Sequence, residues 1–482
     1  MLKIYWFRKD LRIEDNAGLK HFIDALNTDD EYLFLYIKNK NTFEYFGEKR
    51  IRFLYQALAS LKSSLKKHSR ELFITEGNSL DVFKTILSKF ENVFVYANEQ
   101  PEPYSRKRDV EVRKLIEKSG GEFNLSVDST IFPLGEILKD DGKPYVVFTP
   151  FMKPFYSRLD KTHYAKVDSD VSKLKGRECK KHGLKVLDPE KEMKNLNGSG
   201  FFDGSREDGL KQLEKFWKDK LENYKSSRDF PAVCGTSRLS PHFHFGTIGI
   251  REAFRTGFNK INRSSSTKTK SESTTWLNEL IWREFYYNIA YHFPDIIKDS
   301  FHKKYDRLNW NRSSKDFKAW CEGKTGYPIV DAGMRQLVKE GWMHNRVRMI
   351  TAMFLTKHLL IDWRKGEKFF AEHLVDMDFS SNNGGWQWSA STGVDAAPYF
   401  RIFNPTLQSK KFDPKGEYIK EYVPELKDIP AKYIHAPWEL SKELSIEEQN
   451  HIGIKIGKDY PAPIVDHKKA REIAIKEYKS IA

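Results

Sequence analysis

The chain begins with the apolar stretch Leu2-Lys-Ile-Tyr-Trp-Phe7, and similar short stretches recur at Tyr32–Ile37, Glu71–Thr75 and Asn92–Ala97. Runs of this length that are rich in Val, Ile, Phe and Tyr are typical of buried β-strands. Patterns with helical spacing, such as Arg50–Lys66, lie between them. This alternation predicts an α/β domain with a doubly wound parallel sheet. The first stretch is not followed by GxGxxG, so a dinucleotide site there is not supported.

The rest of the chain has a different character. Residues 131–200 are basic, weakly apolar and rich in turn formers, which predicts a connector between domains. After residue 200 the apolar spacing is mainly helical and ten of the eleven tryptophans occur, with a low-complexity segment, Ser264–Thr275, that we predict to be a loop. At 482 residues the chain is too long for one ordinary core. We therefore predict an α/β domain (1–130), a connector (131–200) and an all-α domain (201–482).

Charge and cysteine content restrict the class of protein. The formal net charge of +15 favours a polyanionic partner. The three cysteines are far apart and odd in number, which excludes a disulfide framework or a CxxC metal site and is typical of a reducing cytosol. The N-terminus does not have the pattern of a signal peptide, and no apolar run approaches the roughly 18 residues of a membrane span. We expect a soluble, cytoplasmic protein with no membrane partner.

The run Asp376-Met-Asp-Phe-Ser-Ser-Asn-Asn-Gly-Gly-Trp-Gln-Trp388 combines carboxylates, amides, a glycine pair and two indoles. Adjacent acids and amides favour turns over long helices, and exposed indoles would lose the benefit of burial. The run therefore predicts the lining of a pocket for a flat ligand that is aromatic across its face and polar at its edges.

A second group of candidate residues lies in Trp276–Tyr286, which has helical spacing. Glu279, Trp282 or Arg283, and Tyr286 would share one face of this helix. A carboxylate, an indole or guanidinium, and a phenol on one face suit the binding of a nucleobase by stacking and edge hydrogen bonds. The alternative is that Trp276 and Trp282 are core aromatics and Glu279 is a solvated charge.

Two more segments carry groups that bind anions. Gly341–Met349 is a helix candidate, and its Arg346 and Arg348 could bind a phosphate and an acid. A buried salt bridge from Arg348 to Asp376 or Asp378 agrees equally well with the sequence. The segment Cys234-Gly-Thr-Ser-Arg-Leu-Ser240 offers backbone amides and hydroxyls for phosphates, or a plain helix N-cap at its end.

Several chemistries lack their motifs in this sequence. HExxH, a P-loop and GxSxG are all absent, which leaves metalloprotease, nucleoside triphosphatase and serine hydrolase functions unsupported. The 14 histidines do not cluster at metal-ligand spacing, so no metal site is predicted.

Taken together, these motifs resemble the DNA photolyase/cryptochrome family, and specifically its class I cyclobutane pyrimidine dimer (CPD) photolyases. The similarity spans essentially the whole chain, with its motifs in the family's order: Trp6–Asn16, Gly235–Pro241, Trp276–Tyr286, Gly323–Asp331, Met343–Met349, Asp376–Trp388 and Tyr460–His467. The resemblance implies an N-terminal antenna domain and a helical domain that binds FAD. It also implies light-driven electron transfer from reduced FAD to a flipped-out dimer in DNA, opening of the cyclobutane ring and return of the electron.

The resemblance implies three groups of site residues. Positions that match FAD-binding residues are Tyr224, Thr236, Ser237, Arg238, Leu239, Ser240, Trp276, Arg348, Asp376, Met377, Asp378 and Asn382. Positions that match DNA- and dimer-binding residues are Arg228, Glu279, Leu280, Ile281, Trp282, Arg283, Tyr286, Asn345, Arg346, Met349 and Trp388. The catalytic group comprises Glu279, Asn382, which would face flavin N5, and three tryptophans that match the family's electron relay from flavin to surface: Trp386, Trp363 and Trp310.

The sequence departs from the family pattern in the antenna domain. Folate-using class I members have an Asn-Glu pair where this chain has Tyr104 and Ser105. This departure disfavours folate and leaves a second, antenna chromophore unassigned.

Other members of the family, and a flavin-free DNA-binding protein, are the competing interpretations. A (6-4) photolyase would have two histidines where this chain has His344 and Asn345, and the cofactor motifs argue against the flavin-free protein. A plant-type cryptochrome photoreceptor would have Asp opposite N5 and a long C-terminal extension, whereas this chain has Asn382 and ends at Ala482. We therefore expect a monomeric repair enzyme that acts on UV-damaged DNA, single- or double-stranded, and the blue-light photoreceptor is the alternative.

Overall fold

The structure is a computed structural model that describes residues 1–43, 45–198, 200–445, 447–448 and 452–481. The chain forms two compact units. The first contains residues 1–222, 237–294 and 375–380, and the second contains residues 223–236, 295–374 and 381–482. The division predicted from sequence, with boundaries near residues 130 and 200, follows different lines and stays a prediction.

A parallel sheet organises the first unit. Its strands are β1 (Leu2–Phe7), β2 (Glu31–Lys38), β3 (Leu72–Glu76), β4 (Val93–Asn98), β5 (Glu122–Ser126) and β6 (Arg177–Glu178). The strand order is β3-β2-β1-β4-β5, every ladder is parallel, and β6 pairs with the start of β2. The four strands predicted from sequence and the α/β class are confirmed, whereas β5 and β6 were not predicted.

The sheet order reverses between β1 and β4, and a buried polar network lies at the carboxyl ends of these two strands. Tyr5 donates to the Asp10 carboxylate at 2.5 Å, and the amide of Asn98 donates to the same oxygen at 2.7 Å. Arg8 binds Asp109 through both carboxylate oxygens, at 2.6 and 2.7 Å. The carboxyl ends of strands at such a reversal are where ligands bind in open α/β sheets.

Helices make up most of the remaining structure. In chain order they are α1 (Ala17–Ala25), α2 (Lys40–Phe43), α3 (Glu48–Lys66), α4 (Ser79–Leu87), α5 (Pro103–Lys118), α6 (Phe148–Arg158), α7 (Lys161–Tyr164), α8 (Pro189–Lys194), α9 (Arg206–Lys215), α10 (Tyr224–Ser227), α11 (Ser240–Phe245), α12 (Ile250–Arg263), α13 (Thr267–His292), α14 (Ser314–Cys321), α15 (Pro328–Glu340), α16 (Asn345–Met353), α17 (Trp363–His373), α18 (Phe379–Ala390), α19 (Pro405–Phe412), α20 (Glu417–Tyr422), α21 (Leu440–Glu443) and α22 (His467–Lys479). Helices α10, α14–α17 and α19–α22 lie in the second unit, and α18 starts in the last segment of the first unit and continues in the second. The described helices include none that is long and apolar enough to cross a membrane.

Two segments predicted to be irregular are helical. Ser264–Thr275 was expected to be a loop, but α13 begins at Thr267 because the Ser266 side chain caps it by accepting from the Thr269 amide. The run from Asp376 to Trp388 was expected to favour turns, but α18 covers it from Phe379 onward. Buried contacts of its side chains outweigh the low helix propensity of its Asn, Ser and Gly residues.

The segment predicted to be a plain connector, residues 131–200, contains α6, α7, α8 and β6. Helix α6 buries Phe148, Phe151 and Phe155. Phe151 and Phe155 pack with their ring centroids 6.3 Å apart, so this part of the chain adds its own aromatic cluster to the first unit.

Candidate functional site

Helix α13 carries the predicted base-binding residues of the first unit. Trp282 is half-buried and stacks on Phe148 with ring centroids 3.7 Å apart and an interplanar angle of 5°. Glu279 and Tyr286, one turn before and after Trp282, are also half-buried. Phe148 thus holds one face of the indole, and a half-buried indole held in this way is suited to stacking against a base.

Three neighbours on α13 point into the unit. Trp276 is buried against Trp217 at a centroid distance of 4.8 Å and against Phe216 at 5.4 Å, as the core-aromatic alternative supposed. Leu280 is buried, and Ile281 is only 1% exposed. Because Leu280 and Ile281 offer almost no surface, we leave these two out of the proposed DNA contacts.

Arg283 was predicted to contact DNA, but its guanidinium is hydrogen-bonded inside the first unit. It donates to the Ser129 carbonyl at 2.6 Å and to the Tyr287 hydroxyl at 2.5 Å. Tyr287 in turn donates to Asp378 at 2.6 Å. Arg283 is therefore tied to the predicted cofactor residue Asp378 through one intermediate side chain.

The predicted cofactor residues of the first unit converge on the segment 375–380. The Ser240 hydroxyl, at the start of α11, donates to Asp376 at 2.6 Å, and Asp376, Asp378 and the intervening Met377 are buried or half-buried. The hydroxyl of Ser380 is buried and has no hydrogen-bond partner among the described residues. Native structures rarely leave such a group unsatisfied, and a bound ligand would satisfy it.

The loop before α11 has a strained conformation. Arg238 has a φ of 54°, which is uncommon for a residue other than Gly, Asn or Asp. Its guanidinium lies 5.5 Å from the ring centroid of Phe201, and the neighbouring Leu239 is fully buried. The Ser237 hydroxyl accepts from the Leu239 amide at 3.4 Å. Helix α11 begins at Ser240 as predicted, but the N-cap residue is Leu239 and, among the described residues, no side chain caps the helix, because the Ser240 hydroxyl donates to Asp376 instead.

In the second unit, α10 and the chain that follows it hold three predicted residues. Tyr224 is buried, and the Arg228 guanidinium lies 5.8 Å from its ring centroid. Gly235 packs so closely on α10 that an added Cβ would lie 2.5 Å from the Ser227 hydroxyl, and this contact holds the backbone next to Thr236. The glycine is required here by the close approach of the two segments.

Helix α16 carries the arginines and the dimer contacts that were predicted for the second unit. Asn345 is exposed, and Met349 is half-buried. Arg346 forms an ion pair with Asp229 at 3.0 Å and lies 4.4 Å from the Phe412 ring centroid. The Nε atom of Arg348 donates to the Met343 carbonyl at 2.7 Å. Arg346 and Arg348 thus have different partners, as expected for residues two positions apart, which point to different sides of a helix.

Helix α18 positions Asn382 through α17. The Asn382 amide nitrogen donates to the backbone carbonyl of Glu367 at 3.3 Å, and the neighbouring Asn383 donates to the Glu367 carboxylate at 3.0 Å. Burial raises the pKa of Glu367 to about 7, although the hydrogen bond from Asn383 opposes this effect. Glu367 is therefore a half-buried acid that titrates near neutral pH beside the predicted flavin-N5 residue.

The three tryptophans predicted to form the relay all lie in the second unit. Trp386 and Trp363 are buried, and Trp310 is half-buried. Trp386 packs on Phe370 of α17 with centroids 5.0 Å apart. Asn311, next to Trp310, donates from its backbone to the Leu360 carbonyl at 2.7 Å, which holds this segment beside the chain that leads to Trp363.

Sequence reasoning did not identify Tyr287, Glu367 or Gly366 as parts of the site. The spacing of Arg283 and Tyr287, four residues apart on a helix, was a usable signal for their contact. The partner of Tyr287 lies 91 residues away, and no local pattern marks it. Glu367 lies four residues after Trp363 in a run of charged residues, a pattern that predicts an exposed side chain rather than a half-buried one.

The residues present fit FAD. Thr236, Ser237 and Ser240 supply hydroxyl groups of the kind that bind phosphate oxygens, and Asp376 and Asp378 supply acceptors for ring N–H groups. The hydrogen bond that Asn382 makes to the Glu367 carbonyl uses its side-chain nitrogen. These groups are the complement of hydroxyls, acids and amides that a flavin dinucleotide requires.

Comparison with known families agrees with this chemistry. Residues 3–169 match the family described as DNA photolyase, and residues 276–480 match the FAD binding domain of DNA photolyase. The chain is 40% identical, over 99% of its own length and 98% of the relative's, to the deoxyribodipyrimidine photo-lyase of Alkalihalophilus pseudofirmus.

Solved structures with the same fold include photolyases and a cryptochrome. A bacterial class III photolyase from Agrobacterium tumefaciens superposes with a TM-score of 0.88 at 35% identity, over 99% of this chain and 97% of that one. A cryptochrome from Synechocystis superposes with a TM-score of 0.85 at 27% identity, over 99% of each chain. The predicted fold class is confirmed, whereas the assignment to class I stays a prediction.

Proposed function

This chain belongs to the DNA photolyase family and carries its FAD-binding domain, and from that premise we propose that it repairs cyclobutane pyrimidine dimers in DNA. When bound and reduced, FAD supplies the electron that opens the cyclobutane ring under illumination. The residues of the chain bind the cofactor and the lesion, exclude water from them, and conduct electrons to the cofactor when it has become oxidised.

The observation that carries the proposal is the division of α18 into two faces. Trp386 and Trp388 are two residues apart, so they point to opposite sides of the helix. Trp386 is buried among the rings of Phe370 and Trp320, whereas Trp388 is half-buried. Asn382, held by Glu367, lies one turn before Trp386. In this proposal α18 carries the relay residue Trp386 and the cofactor residue Asn382 on one side and the lesion contact Trp388 on the other.

We propose that the lesion is bound by stacking on Trp282 and Trp388, by an edge hydrogen bond to Glu279, and by contacts of Met349 and Asn345. Phe148 supports the present orientation of Trp282. Arg228 and Arg346 are the proposed phosphate contacts, and the formal net charge of +15 supplies a long-range attraction to DNA. The Asp229 carboxylate now pairs with Arg346, so a phosphate would replace or share this partner.

A blue-light photoreceptor is the second candidate, because the Synechocystis cryptochrome has the same fold. Asn382 favours repair, since the resemblance associates Asp at this position with plant-type receptors. The test is an illuminated assay of the reduced, FAD-bound protein with CPD-containing and (6-4)-containing oligonucleotides. Loss of the CPD alone supports the proposal. Bound FAD with no loss of either lesion would favour the receptor, and loss of the (6-4) product would reassign the substrate.

A further inference from the structure

A small polar cavity lies in the first unit at the carboxyl ends of β1 and β4, where the sheet order reverses. Lys9, Glu99, Glu102 and Ser129 line it from the sheet side, and His244, Arg283 and Tyr287 line it from α11 and α13. Its volume of about 20 Å³ exceeds the roughly 10–15 Å³ that one water molecule needs.

Four buried polar atoms of this lining have no hydrogen-bond partner within the described residues: Glu99 Oε1, Glu102 Oε2, Ser129 Oγ and His244 Nδ1. Glu102 is 7% exposed and His244 is 5% exposed. Buried polar atoms of this kind are normally satisfied by protein or by ordered water. A water molecule fits this volume and can donate to the glutamate oxygens that lack a partner in the described part of the chain.

The cavity adjoins a chain of hydrogen bonds that ends at a predicted cofactor residue. Arg283 and Tyr287 both line it, the guanidinium donates to the phenol at 2.5 Å, and the phenol donates to Asp378 at 2.6 Å. Burial raises the pKa of Tyr287 well above its ordinary value, so the phenol keeps the proton that it donates. The Arg283 guanidinium also lies 4.1 Å from the centroid of the Tyr287 ring, which restricts the ring.

We propose that water held in this cavity, together with Arg283 and Tyr287, forms a hydrogen-bonded support that fixes the orientation of Asp378 toward FAD. Tyr287 is then a positioning residue, acting on the cofactor only through the carboxylate. The inference rests on the proposed function in one respect, which is that Asp378 contacts FAD. The phenol donates to one carboxylate oxygen, so its loss removes one hydrogen bond that restrains the carboxylate.

The test compares Tyr287→Phe with the matched control Tyr291→Phe in the full-length protein. Tyr291 lies one turn further along α13, and an arginine, Arg106, also lies 4.1 Å from its ring centroid. Loss of a hydrogen bond to a charged group predicts that Tyr287→Phe weakens FAD binding roughly 10- to 100-fold. At saturating FAD we expect its visible absorption bands and reduction potential to shift. Partial unfolding would lower the amplitude of the bands without moving them. The control should match the unsubstituted protein.

Equal FAD affinity, band positions and potential in the two variants would overturn the role of Tyr287. A crystal structure of the FAD-bound protein tests the water, which should lie within hydrogen-bond distance of Tyr287 and Glu102, and a dry cavity would overturn that part. Dimer repair by the unsubstituted protein is measured in parallel. If that protein binds FAD and repairs dimers while Tyr287→Phe has no effect, only this inference fails. If it binds FAD and repairs nothing, the proposed function fails.

Discussion

Replacing Gly366 with alanine tests whether α17 holds the first relay tryptophan in place. A Cβ at this position would lie 2.1 Å from Cη2 and 2.5 Å from Cζ3 of Trp386, and 2.6 Å from Cδ2 of Leu355. Non-bonded carbon atoms prefer separations of about 3.5–4.0 Å. Either Trp386 or α17 must therefore move by about 1 Å or more to relieve the clash. Trp386 is 2% exposed and packs against Phe370 and Trp320, which leaves it little room to move. Overpacking of this kind costs about 1–3 kcal/mol.

Gly385→Ala is the matched control, because a Cβ there meets no atom within 4 Å. The control should be as stable as the unsubstituted protein or more stable by about 0.4–1 kcal/mol. Chemical denaturation gives the two stabilities, and the rate at which light reduces the bound, oxidised FAD reports the position of Trp386. We expect Gly366→Ala to be destabilised and to photoreduce more slowly, yet to repair dimers once reduced chemically. Equal stability and equal photoreduction in the two variants would refute the packing described for α17 and α18.

Three further outcomes are expected. Because the folded-state pKa of Glu367 is raised to about 7, its contribution to stability is full below the unfolded-state pKa near 4.5 and is lost as the pH rises through about 7. Glu367→Gln should therefore stabilise the FAD-free protein at pH 8 by up to about 3 kcal/mol and flatten its pH-dependent thermal unfolding, and an unchanged pH profile would contradict the shift. Trp363→Phe should abolish photoreduction of the bound FAD, while the chemically reduced variant still repairs dimers. Loss of both photoreduction and repair would show that Trp363 does more than conduct electrons to the cofactor. Arg346→Ala should weaken binding to damaged and undamaged DNA alike and lower the slope of log affinity against log salt by about 1, and an unchanged slope in filter-binding titrations would exclude a phosphate contact.

The parts of the fold that could be predicted from the sequence are those in which consecutive apolar side chains indicate a buried strand. Strands β1 and β2 are buried along almost their whole length, and apart from Lys3 in β1 and the two ends of β2 their residues are apolar or aromatic. Strand β5, Glu122–Ser126, was missed because only Phe123 is buried and the other positions are partly or fully exposed. A strand at the edge of a sheet gives neither an unbroken run nor a clear alternation.

The errors at α13 and α18 have a different cause. A run of Ser, Thr and Lys before Trp276 has the composition of a loop, but a single N-cap at Ser266 and buried contacts of Glu272 and Ser273 extend the helix through it. In α18, Gln387 donates to Asn383 at 3.0 Å, so side-chain contacts one turn apart stabilise residues with low helix propensity. Tertiary context decided both segments, and it is not visible in local composition.

The candidate site was predictable as a set of residues but not as a set of contacts. Asn382, Trp386 and Trp388 stood out because amides and indoles so close together are unusual. Their supports, Glu367 and Gly366, lie 15 to 20 positions earlier in an ordinary charged helix, and only the packing of α17 on α18 shows their role. The resemblance to a family supplied roles, and the structure supplied what holds each side chain in place.

The measurement that bears most directly on the proposed function is the number of cyclobutane dimers in irradiated DNA after incubation with reduced, FAD-bound protein. Parallel samples are kept under near-UV or blue light and in darkness. We predict that dimers disappear in the light and persist in the dark. Equal loss in darkness, or persistence in the light with FAD bound, would contradict light-driven repair by this chain.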